Sequence, residues 1–181
     1  MAQRDPAARR YADAVFGIAR DTASHDRWLS DLDEIAELFA EPTVRGFLVS
    51  TRVTQEQKEA VLDQALPDVQ ANARSLAKLL VRKRRVALAD QIGDAFRQRL
   101  NAVRNITEAN VVTAVPLSDE ARQAVADAVH RYTNAETVQL TESVDPELIG
   151  GAVVQIGDRI IDGSVRTRLS TLRRSLASGA A

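Results

Sequence analysis

The residues that most readily do chemistry are few in this chain: two histidines and scattered carboxylates, with no cysteine. His25 and His130 lie far apart in the sequence, and no acid is spaced to complete a triad or a metal centre with either. The acids Asp31, Asp33, Glu34 and Glu37 alternate with apolar positions and bring no histidine. That is the pattern of a solvated helix face rather than a cation site. Asp158 and Asp162 flank a short apolar run and could act as paired carboxylates, but turn and cap chemistry accounts for both. Gly150, Gly151, Gly157 and Gly163 match neither G-x-G-x-x-G nor the P-loop pattern, and the first two precede a strand where a phosphate loop would precede a helix. The Gly150-Gly151 pair serves either a sharp turn into that strand or a close backbone approach. The sequence thus predicts no catalytic, cofactor-binding or metal-binding residue.

Charge and composition narrow the classes further. With 24 Lys and Arg against 25 Asp and Glu, the formal net charge is −1, so no global field favours nucleic acid or anionic lipid. The run Arg82-Lys83-Arg84-Arg85 supports an alternative reading as a nucleic-acid-binding helical protein. Against that alternative, the run is short, lacks interleaved aromatics and falls where a helix ends, so its cations complement the helix dipole. Aromatics are only 4% of a chain that is 45% hydrophobic, which calls for a core of Ala, Leu, Val and Ile in close-packed helices. The absence of cysteine fits a reducing compartment. No signal-like or membrane-spanning apolar stretch is present, so neither export nor a bilayer span is expected.

The element with the clearest punctuation is the stretch from Leu148 to Val165. Two β-branched runs, Val153 to Ile156 and Arg159 to Ile161, flank Gly157-Asp158, the signal for a type II′ hairpin. Gly163 is free to take positive φ, and Ser164 is placed to cap a final helix. Val165, Leu169, Leu172 and Leu176 place an apolar stripe on that helix. Its arginines, Arg166, Arg168, Arg173 and Arg174, could dock an acidic partner or satisfy the helix dipole.

Upstream, the period is helical. Asp5-Pro6 caps a first helix running to about Thr22, with apolar residues on two adjoining stripes that include Tyr11, Ala14 and Ile18. Such a wide arc is buried either by its own domain or by another polypeptide. Ser24 is expected to cap a second helix carrying Trp28, Leu32, Ile35 and Phe39; Pro42 opens a third, and Thr54 with Gln57 forms a capping box for a fourth. A fifth helix holds Leu76, Ala77, Leu79, Leu80 and Val81, and a long sixth starts at Val86. From Ile106 the period shortens: a strand to Val115, a helix containing Val125, Val129 and Tyr132, and a strand from Thr137 to Glu142. The expectation is an α+β protein. An N-terminal six-helix bundle (1–105) precedes a small α/β domain (106–181) with a β-hairpin and a C-terminal helix.

The run GGAVVQIGDRIIDGSVRTRLSTLR, from Gly150 onward, resembles the C-terminal signature of the ATP synthase delta subunit family, which includes the oligomycin-sensitivity-conferring protein. The segment from Arg9 to Phe16 is similar to that family's opening helix. The resemblance implies a non-catalytic stator subunit without cofactors. It implies that the helical domain grips the N-terminal helix of an alpha subunit between the first and fifth helices, here through Tyr11, Ala14, Ile18, Leu76, Leu79 and Leu80. It also implies that the second domain binds the C-terminal end of the membrane-anchored b subunit, so that the catalytic head is held still against the rotor. The expected location is the cytoplasmic face of a bacterial plasma membrane, peripheral and within the synthase complex.

Overall fold

The computed structural model describes residues 5–178, with side chains through Ser175. The chain divides into two compact units, one up to Leu100 and one from Asn101 onward.

The first unit is helical: α1 (Pro6–Asp21), α2 (His25–Ala40), α3 (Pro42–Val49), α4 (Gln55–Ala65), α5 (Ala71–Arg82), a 3-10 turn at Val86–Leu88, and α6 (Ala89–Val103), whose last residues cross the division. Local chemistry fixes most of the ends. Asp5 accepts the Ala7 amide at 2.8 Å ahead of Pro6, and Glu41 accepts the Val44 amide at 2.6 Å ahead of Pro42. Thr54 and Gln57 form the reciprocal capping box. Each such cap contributes about 1 kcal/mol. Ser24 makes no cap bond; its hydroxyl pairs with that of Thr22 at 2.6 Å instead. The stretch Val86–Leu88 is a separate 3-10 turn, so the sixth helix starts three residues later than its apolar spacing suggests.

These helices enclose a core in which Trp28, Ile35, Leu62, Leu66, Leu80, Ile92 and Phe96 are almost wholly buried. Phe16, Phe96 and His25 form a tilted aromatic group, with ring centroids 5.0 Å apart for Phe16 and His25 and 5.5 Å apart for Phe16 and Phe96. Asp31 departs from the solvated-face expectation. It is buried, paired with Arg27 at 3.1 Å, and accepts the Gln70 amide at 3.3 Å. The segment before α5 must dock on α2, and a carboxylate is what receives its free N–H.

The second unit holds β1 (Ile106–Thr113), α7 (Asp119–Thr133), β2 (Thr137–Val144), a 3-10 turn (Pro146–Leu148), β3 (Ala152–Ile156), β4 (Arg159–Asp162) and α8 (Val165–Ser178). The sheet order is β2-β1-β3-β4, with β1 and β2 parallel and the other pairs antiparallel. A parallel pair needs a crossover, and α7 supplies it. Ala109, Val111 and Thr113 alternate inward along β1. The protein is thus a mixed α/β chain with eight α-helices and a four-stranded mixed sheet among the described residues.

Candidate functional site

The two histidines take separate structural positions. His25 is half-buried with its ring tilted against Phe16 in the first unit, and His130 is exposed on α7. Asp162 is spent on the helix start: it accepts the Ser164 amide at 2.8 Å and the Thr167 hydroxyl at 2.7 Å, while Ser164 accepts the Thr167 amide at 3.2 Å. The Ser164 side chain and amide and the Thr167 hydroxyl together hold the Asp162 carboxyl below its usual range. Asp158 lies exposed in the hairpin turn, where Gly157 takes φ +57° and Asp158 does not turn positive, as a II′ turn requires. No group of three or more His, Asp or Glu able to hold a metal occurs among the described residues. A depression of about 760 Å³ is lined by Asp33, Glu37, Arg45, Asp90 and Arg97 together with apolar residues of α2 and of the Val86–Leu88 turn. It brings no nucleophile next to a base.

The paired glycines have a definite reason. Gly151 adopts φ +77°, and a Cβ there would lie 2.5 Å from the Gly163 carbonyl oxygen. Both alternatives left open by the sequence therefore hold at one residue: a left-handed backbone and a close backbone approach. Gly163 itself is not at positive φ; it is the surface that Gly151 approaches, and its own amide donates to Ala152 O at 2.9 Å. This locks the start of β3 against the start of α8.

What remains for function is surface that a self-sufficient fold would cover. On α1, Tyr11 is half-buried, Ala14 is exposed and Ile18 is 42% exposed, although the same helix buries Ala8, Ala12, Val15, Phe16 and Ala19. On α5, Leu79 is 37% exposed, whereas Leu76 and Leu80 are buried in the core, Leu80 with only 1% of its surface left. The opposite edge of α5 is fastened to α4. Arg82 grips Glu59 bidentately at 2.8 and 3.0 Å, and Lys78 pairs with Asp63 at 2.7 Å. The Arg82 guanidinium, helped by Gln55, lowers the Glu59 carboxyl to about 2.

The basic run acquires a role here that its composition did not disclose. Arg84 takes φ +56°, its amide donates to Val81 O at 3.0 Å, and the Arg85 amide donates to Leu80 O at 2.8 Å. These are the two bonds of a Schellman C-cap. The cap swings Arg85 back over α1, where its guanidinium donates to Tyr11 Oη at 3.3 Å and lies 5.9 Å from the ring centroid. Arg85 thus joins the end of α5 to the exposed side of α1. A capping signal with Arg in the place usually held by Gly is nearly invisible in sequence.

Comparison with known proteins gives a consistent result. The family model described as the ATP synthase delta (OSCP) subunit matches residues 7–176. Among curated proteins, the ATP synthase subunit delta of Gloeothece citriformis is 33% identical over 171 residues, covering 93% of each chain. That of Anaeromyxobacter sp. is 36% identical over 172 residues, covering 93% of this chain and 96% of the relative. Among solved structures, a chain in the cryo-EM structure of the Toxoplasma gondii mitochondrial ATP synthase hexamer superposes with a TM-score of 0.69. It covers 96% of this chain and 98% of its own at 20% identity, a likeness of fold.

Proposed function

Because the chain belongs to the ATP synthase delta (OSCP) family, a structural component of the peripheral stalk, we propose that it works as the stator link of a proton-translocating ATP synthase. In this reading the helical unit grips the N-terminal helix of an alpha subunit, and the second unit binds the C-terminal end of the b subunit. The link carries load and performs no bond chemistry. Torque from the rotor does work on the nucleotide sites only if the head is prevented from turning with it. Two separate contacts suit that task, since either one keeps the partner close after the other opens.

The observation that carries the reading is apolar surface left uncovered on α1 and on α5, with Arg85, just past the end of α5, bonded to Tyr11 of α1. Tyr11, Ala14, Ile18 and Leu79 are the accessible side chains of the proposed groove, while Leu76 and Leu80 are buried in the core. Small Ala14 lets a partner helix approach closely, and the flanking apolar side chains give up water-exposed area at about 25 cal/mol per Å². No helix among the described residues is long and apolar enough to cross a membrane, so attachment to the bilayer runs through a partner. On this reading the location is the cytoplasmic face of a bacterial membrane.

The test is titration of the protein with a peptide taken from the N-terminus of the alpha polypeptide. Leu79→Asp is expected to weaken binding by at least about thirtyfold, the size of an interface hot spot, with the circular dichroism spectrum unchanged. Undiminished affinity in a folded Leu79→Asp, Tyr11→Ala double variant would remove the groove from the proposal.

A further inference from the structure

The helix α8 is unlike every other helix of the chain. All residues from Val165 to Ser175 are exposed, and the bonds that fasten α8 to its unit lie at its start. There the Val165 amide donates to Gly150 O at 2.9 Å, and Arg166 pairs with Glu147 at 3.1 Å. Beyond that point its apolar stripe is bare, with Leu169 53% and Leu172 56% exposed. A helix of 14 residues with no buried side chain among those described is marginal in water, because helices in proteins draw most of their stability from a buried stripe.

The charges beside the stripe are all of one sign. Arg168 lies four residues before Leu172 and Arg173 four residues after Leu169, so one flanks the stripe on each side. No acid occurs anywhere from Gly163 to the end of the chain, and neither Arg168 nor Arg173 is paired with a carboxylate among the described residues. Arg174 points to the opposite face. A leucine stripe with cationic shoulders is the complement of an amphipathic helix whose apolar seam runs between acidic residues.

We propose that α8 is the docking element for such an acid-flanked helix, contributed by the C-terminal end of the b subunit, and that α8 gains its stability from that docking. This rests on the stator reading and adds to it the surface and the partner's chemistry. A second copy of the chain is a poor occupant, since pairing two α8 stripes would set arginine against arginine. An anionic bilayer surface fits less well, because the stripe has no aromatic residue to sit at the headgroup level.

The experiment titrates the full chain with a peptide spanning the C-terminal end of the cognate b polypeptide and follows amide exchange in α8. Expected are slowed exchange along α8 on binding, a loss of at least about thirtyfold in affinity for Leu169→Asp, and a loss of about tenfold or more for the Arg168→Glu, Arg173→Glu pair. Arg174→Glu should bind normally. Binding of the wild-type chain should also weaken as salt rises from about 0.05 to 0.5 M. If the peptide binds and Leu169→Asp disrupts it, but the double reversal and salt have no effect, the acidic-flank inference is overturned while the stator reading stands. If the peptide fails to bind at all, the proposed attachment to the b stalk itself falls. Exchange slowed instead by vesicles containing anionic lipid, with no response to peptide, would assign α8 to the membrane and overturn the proposal.

Discussion

The two units spend their hydrophobic residues in opposite ways. The helical unit closes a core around Trp28, Ile35, Leu62, Ile92 and Phe96 and leaves a few apolar side chains uncovered at its edges, Ile18 on α1, Val49 on α3 and Leu79 on α5 among them. The second unit buries few large side chains, chiefly Val111, Val129 and Leu148, and leaves the described side chains of α8, Val165 to Ser175, exposed. A fold that satisfies itself first can lend an edge to a partner and remain rigid. A fold that leaves a helix unpacked holds part of its own stability in reserve until the partner arrives. In a stator, the first arrangement suits a fixed seat and the second a grip completed on assembly.

The contrast can be broken most directly at the core. Trp28→Ala removes the largest fully buried side chain and is expected to cost about 3–5 kcal/mol, a large share of a domain's stability, so the helical unit should melt at a markedly lower denaturant concentration. Amide signals of β1 to β4 should persist in that variant; their loss would show that the second unit cannot stand alone. The counterpart in the second unit is Gly151→Ala. A side chain there meets both a left-handed backbone and the Gly163 carbonyl, so a loss of about 2–3 kcal/mol is expected. Because the lock joins β3 to the start of α8, the loss should appear as faster amide exchange in the hairpin and α8, with the helical unit unaffected.

Much of this is legible in the sequence, and the exceptions share a cause. Caps written in side chains, such as Asp5-Pro6, Thr54 with Gln57 and Ser164, are local and form as their residues predict, as does the Gly157 turn. What sequence does not disclose is whether an apolar stripe finds a cover. The spacing of Val165, Leu169 and Leu172 looks the same whether α8 is buried or bare, and Leu79 and Leu80 are adjacent leucines with opposite fates. The roles of Asp31 and Arg85 are hidden because their partners, Gln70 and Tyr11, lie tens of residues away. Gly163 is free to take a left-handed backbone, yet its neighbour in space, Gly151, is the residue that adopts one. No local pattern reports such long-range juxtaposition.

Smaller perturbations sharpen the contrast at the edges of the helical unit. Thr54→Ala opens the capping box of α4 and should cost about 1 kcal/mol, read as a lower denaturation midpoint with an unchanged slope. The smallest expected effect is electrostatic. Glu59, drawn down to about 2 mainly by Arg82, has a folded-state pKa below the unfolded carboxylate value near 4.5. A depressed carboxylate favours the folded state above the unfolded pKa and loses that contribution as pH falls from about 4.5 through about 2. Glu59→Gln should therefore be slightly less stable than the parent at neutral pH, and the difference should shrink across that acidic window. The pair is solvent-accessible, so the effect should also fade with added salt. A difference between parent and variant that is insensitive to both pH and salt would mean that α5 is held against α4 by packing, with the Glu59–Arg82 fork following rather than fixing its position.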